Sequence, residues 1–134
     1  MTERVTGIGG IFFKAADKAK LLDWYRDHLG VDVQEWGGAT FEWREATDGN
    51  AKGQTVWTVF KQDSKYFAPS RSPFMINYRV QDLDKMLAQL KAAGVTVDDK
   101  IDASEYGRFG WAMDPEGNRI ELWEPPRSGS LGTT

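Results

Sequence analysis

The stretches LLDWYRDHLGVDV at residues 21–33 and DLDKMLAQLKAAGVTV at residues 82–97 carry the reading on which the fold turns. In the second, Leu83, Met86, Leu87 and Leu90 recur at i, i+3, i+4 and i+7, the stripe of a helix with one buried face. Asp82 stands as its N-cap and Gly94 in the place of a left-handed stop. In the first, Leu21, Leu22, Tyr25 and Leu29 keep helical spacing, with Asp17 as cap and Gly30 as stop, so a helix is predicted at about residues 18–29. Gly30-Val31-Asp32-Val33 and Gly94-Val95-Thr96-Val97, 64 positions apart, are then the same helix stop followed by the same strand start. A strand precedes each helix: Ile8 to Lys14 is short, aromatic and glycine-flanked, and Phe74 to Val80 is equally apolar. Two modules of one design are the simplest account.

Working outward, Val31 and Val33 start a second strand, Gly37-Gly38 turns the chain, Phe41 to Arg44 forms a third strand and Thr55 to Phe60 a fourth, with a polar loop from Thr47 to Gly53. In the second module Phe109 to Met113 and Arg119 to Glu124 read as strands joined by the turn Asp114-Pro115-Glu116-Gly117-Asn118. Residues 62–73, QDSKYFAPSRSP, are polar, aperiodic and carry two prolines, as a connector would. The expectation is one α+β domain with modules at 6–61 and 74–125, the connector between them, and a Pro-, Ser- and Gly-rich tail at 126–134 that is frayed or draped over the surface.

At 134 residues with 40% hydrophobic content, the chain is long enough for one core and too short for two. A net charge of −3, with Lys and Arg scattered among acids, leaves no basic surface for nucleic acid. No apolar run is long enough to cross a membrane and the N-terminal MTERVTGIGG lacks a signal-peptide core, so a cytoplasmic protein is expected. Zero cysteines and a single histidine exclude disulfides, thiolate nucleophiles and a multi-His metal cage within one chain. Six tryptophans supply aromatic bulk for a core or a ligand wall.

A β-α-β-β-β unit repeated twice, with LLDWYRDHLGV at 21–31 and YGRFGWAMDPEGNRIELWEP at 106–125, resembles the vicinal oxygen chelate superfamily of glyoxalase I, bleomycin-resistance proteins and extradiol dioxygenases. The resemblance implies cupped mixed sheets around a ligand cavity, helices packed outside and chains paired as homodimers. It also implies a divalent ion held by one side chain on the first and one on the last strand of each module. Those positions carry Gly10, Trp57, Met75 and Glu121, of which only Glu121 is a fit ligand, so no metal and no cofactor are expected.

Strand alternation sends Ile120 and Leu122 to the helix face and Glu121 with Trp123 to the other, which in the family lines the cavity. Glu121 is the candidate catalytic or ion-pairing group. Lys14, Asn77 and Arg79 fall on that side as anchors for an anionic or carbonyl-bearing ligand, or as rim residues reaching water. Trp43, Trp57 and Trp123, with Phe12 and Met75, either stack a planar ligand or plug the cavity. His28 lies in the last turn of helix 1, outside the sheet, and Arg108 between two glycines reads as an exposed strand-start residue. The leading expectation is a small-molecule binder similar to bleomycin-resistance proteins. A metal-independent isomerase or lyase using Glu121 comes second, and a metal-dependent lyase or dioxygenase recruiting Glu42, Glu45 or Asp63 third.

Overall fold

The computed structural model describes residues 2–45, 49 and 52–126. Most of the expected 47–53 loop and of the tail therefore lies outside the described residues. The elements run β1 (Gly7–Ala15), α1 (Lys18–Leu29), β2 (Gly38–Arg44), β3 (Lys52–Lys61), β4 (Phe74–Arg79), α2 (Leu83–Ala92), β5 (Asp102–Ser104), β6 (Gly107–Met113) and β7 (Arg119–Glu124). The seven strands form one mixed α+β sheet in the order β2-β3-β1-β4-β7-β6-β5. β1 and β4 meet antiparallel at the centre, and each is flanked by a parallel strand, β3 and β7 respectively.

Both helices start and stop as their caps dictate. The Asp17 and Asp82 carboxylates accept from the Lys20 and Lys85 amides at 3.1 and 3.0 Å. Gly30 adopts φ 69° and Gly94 φ 84°, the left-handed stop that glycine enters without a Cβ clash. The expected strand at Val31 and Val33 is absent. Its backbone folds back locally, with the Val31 amide on the Tyr25 carbonyl and the Val33 amide on that of Val31, so both valine amides are spent locally and not in a ladder. β2 instead begins at Gly38, ahead of the expected Phe41. The matching segment in the second half is reduced to a single bridge, Val97 to Ala112, and the short β5 takes the edge.

The helices pack outside the sheet, on unequal terms. Leu83, Met86 and Leu87 of α2 join Val80 and Leu122 in a closed core. α1 buries none of its residues fully and is held through Tyr25, whose ring meets Phe13 and Trp57. A second cluster of Phe12, Phe67, Met75 and Trp111 underlies the concave face.

Candidate functional site

A cavity of about 630 Å³ lies on the face opposite the helices. β1 contributes Gly9 and Phe12, β3 contributes Gln54, Val56, Thr58 and Phe60, and β7 contributes Glu121 and Trp123. A bulge between Ile8 and Gly10 turns both Gly9 and Gly10 to this side: a Cβ on Gly9 would meet Asn77 Oδ1 at 2.3 Å, and one on Gly10 would meet the Phe12 ring at 2.7 Å. The two glycines leave room for the Asn77 amide at the cavity floor.

Glu121 is the chemical centre and is only 1% exposed. Its Oε1 accepts from Asn77 Nδ2 at 2.6 Å, while its Oε2 accepts from Trp111 Nε1 at 2.9 Å and from the Tyr66 hydroxyl. Burial pushes the carboxyl above the usual carboxylate range, and the three donors, with the more distant Arg119, only partly oppose it. The Tyr66 phenol is likewise raised, first by burial and then by the neighbouring carboxylate. Among the described residues no cationic nitrogen lies within ion-pair distance of Glu121. The Arg119 guanidinium stacks 4.9 Å from the Trp111 ring and gives its Nη1 proton to the Ala68 carbonyl and its charge to Asp98. Among the described residues no Lys or Arg lines the cavity, and Glu121 is the carboxyl that faces it.

Of the residues expected here, Phe12, Asn77, Glu121 and Trp123 line the cavity, and Met75 lies buried beneath it. Trp57 does not. The register Gly10 to Val56 puts even-numbered β3 residues on the concave side and sends Trp57 to the helix face, against Phe13 and Tyr25. Trp43 is also outside the lining: it packs over Gly7 and Gly53 and gives its indole proton to Thr55 Oγ1 at 2.9 Å. Arg79 stacks on that same indole, 5.1 Å from the ring, and is neutralised by Glu45, so it anchors nothing in the cavity. Lys14 sits over the Phe67 ring, 5.2 Å from its centre, also outside the lining. His28 packs on Trp24, and Arg108 pairs with Asp84 at 2.8 Å. Sequence reasoning missed Tyr66 and Trp111, the two donors to Oε2. Trp111 could have been found by alternation along β6; Tyr66 lies in the aperiodic connector, where no periodicity marks it.

The donor set does not suit a divalent ion. The row of strand partners level with Glu121 is Val56, Gly10, Asn77 and Glu121, which corrects the expected Trp57 and Met75. Glycine and valine offer no donor atom, Asn77 turns its NH2 toward the carboxylate, and both Glu121 oxygens are already engaged. Among the described residues no three His, Asp or Glu side chains gather to hold a metal, and Glu45, one of the alternative carboxylates, is committed to Arg79.

Residues 7–122 match the model of the Glyoxalase/Bleomycin resistance protein/Dioxygenase superfamily. The chain belongs to this superfamily. It is 26% identical over 116 residues to the Bacillus subtilis protein YraH, a relative without an assigned function, covering 81% of this chain and 90% of that one. Among solved structures it is similar to a Streptomyces coelicolor methylmalonyl-CoA epimerase bound to 2-nitronate-propionyl-CoA (TM-score 0.65, 20% identity, 91% and 99% of the two chains). It is also similar to the Mycobacterium tuberculosis methylmalonyl-CoA epimerase (TM-score 0.57, 23% identity, 94% and 92%). At these identities the likeness establishes the superfamily fold and leaves the chemistry to the site. In this superfamily member, no helix among the described residues is long and apolar enough to cross a membrane, which says nothing of spanning by strands.

Proposed function

We propose that this superfamily member binds a small organic cation with an apolar body in the concave cavity, with neither metal nor cofactor. The observation that carries the reading is Glu121: a buried carboxyl with three neutral donors and, among the described residues, no cation on it, facing a wall of aromatic and aliphatic side chains. Ionising such a group is costly, and a ligand that brings a positive charge to it recovers that cost while its apolar part is buried. Titration calorimetry at neutral pH tests this with benzylammonium against uncharged benzyl alcohol. Benzylammonium is expected to bind the more tightly, and Glu121→Gln to erase the difference. Equal binding of the two by the unmodified protein contradicts the reading.

The second reading is metal-independent proton transfer by Glu121, as an isomerase or lyase. It is favoured by the raised carboxyl in contact with a phenol, a pair able to hold and return a proton. Lys14 and Arg79 are out of reach as carbonyl polarisers, and Asn77 is already bonded to Glu121, so the first reading is preferred. Deuterium uptake from D2O at the α-carbon of acyl thioesters and ketones, lost in Glu121→Gln, is the outcome that would reverse this preference.

The same proposal takes the protein as a cytoplasmic homodimer. Ile8, Ile11 and Phe74 are exposed on the central strands and Trp24 and Leu29 on α1, apolar surface of the sort that a second copy covers. Sedimentation at micromolar concentration is expected to give twice the 15.1 kDa chain mass.

A further inference from the structure

The segments Glu35-Trp36-Gly37 and Glu105-Tyr106-Gly107 lie 70 positions apart and fold alike. Each is a tight turn that opens a strand: the Gly37 amide donates to the Gln34 carbonyl at 3.0 Å ahead of β2, and Ser104 pairs with Gly107 at the β5–β6 hairpin. Gly37 at φ 96°, one residue ahead of β2, and Gly107 at φ 116°, the first residue of β6, both take the left-handed conformation, so each turn carries its aromatic residue just before a strand. β2 flanks β3 just as β6 flanks β7, so the two turns occupy equivalent positions in the two halves and approach the cavity from opposite ends of the sheet.

Both rings line the cavity, yet Trp36 is 51% and Tyr106 56% exposed. They are not spent on a core. Their backbones and bases are nonetheless fixed. The Trp36 ring lies so close over Gly38 that a Cβ there would sit 2.4 Å from it, and the Tyr106 carbonyl accepts from Trp123 Nε1 at 2.8 Å. Two large, exposed rings, carried on fixed backbone and lining one cavity from equivalent turns, form a surface suited to stacking.

We infer that Trp36 and Tyr106 are the jaws of an aromatic clamp that selects flat ring systems over compact ligands of the same charge. The inference rests on the cation-binding reading and adds ligand shape to it. Proflavine, a flat tricyclic cation, and cyclohexylammonium, a compact one, separate the two ideas by calorimetry on the full chain. Trp36→Ala and Tyr106→Ala are each expected to weaken proflavine at least about fivefold and cyclohexylammonium no more than about twofold, with Trp36→Phe retaining most of the proflavine affinity. Because both side chains are half exposed, circular dichroism spectra and melting temperatures of the variants should match the unmodified protein. Proflavine that fails to bind, or binds the alanine variants unchanged, overturns the clamp, as does an equal loss for both probes. Glu121→Gln is expected to weaken both cations. If it changes neither while the alanine variants behave as stated, the charge reading falls and the clamp stands.

Discussion

The row Val56–Gly10–Asn77–Glu121 crosses the centre of the sheet, and its two ends are equivalent positions of the two halves. In the first half the pair is Val56 and Gly10, with no side-chain polar atom; in the second it is Glu121 and Asn77, joined at 2.6 Å. The backing differs in the same sense. α2 buries Leu83, Met86 and Leu87 behind the polar pair, whereas α1 fully buries none of its residues behind the apolar one. One half supplies shape and the other supplies charge, and the charged half is the one with a closed core to hold its donors in place.

Replacing Glu121 with leucine should have the largest effect. It strands the Asn77 and Trp111 donors in a buried site and is expected to cost roughly 3–5 kcal/mol in urea unfolding, against about 1 kcal/mol for Val56→Ala on the opposite end of the row. Comparable losses at both ends would break the comparison. Next come the helices. Leu83→Ala should cost about 2–5 kcal/mol, and Leu21→Ala on the loosely held α1 about 1 kcal/mol.

Glu121→Gln should act in the other direction. A glutamine carbonyl still accepts from Tyr66 and Trp111, and its NH2 can donate to Asn77 once that amide rotates. That rotation gives Asn77 Oδ1 a donor and moves the unpartnered position to Asn77 Nδ2, so the gain comes from removing a buried ionisable carboxyl. The variant is expected to melt at or above the unmodified protein at neutral pH, by the equivalent of about 1 kcal/mol. A clear drop in melting temperature would mean that the carboxylate charge itself is stabilising. The pH dependence is the subtlest effect. With the folded carboxyl raised, the native state holds more protons than the unfolded chain from the ordinary value of about 4.3 upward. This group's contribution to stability therefore falls as pH rises through that window and is level above the raised value. The melting advantage of Glu121→Gln should accordingly widen with pH across it.

Much of this architecture is legible in the sequence, because its signals are local. Asp17 and Asp82 cap, Gly30 and Gly94 stop, and the alternation of Arg119 to Glu124 puts Glu121 on the cavity face. Errors arise where position depends on distant strands. The face of Trp57 follows from the register of β3 on β1, and the level of the row follows from a bulge at adjacent glycines that alternation cannot anticipate. Tyr66 reaches Glu121 across 55 positions of sequence from a segment with no period, held by stacking on Phe60 at 5.5 Å. Parity places Arg79 and Lys14 on the cavity side, but the strand ends give them other partners in Glu45 and Phe67.

Cation binding in this cavity depends on a carboxyl at residue 121 that has neutral donors and, among the described residues, no cationic partner. Its titration can be followed directly by carbon-13 NMR of the Glu121 carboxyl, assigned by its absence in Glu121→Gln, with and without saturating benzylammonium. A midpoint above the ordinary glutamate range is expected in the free protein, with a fall toward that range when the cation is bound. An ordinary midpoint that benzylammonium leaves in place would contradict the cation-binding reading.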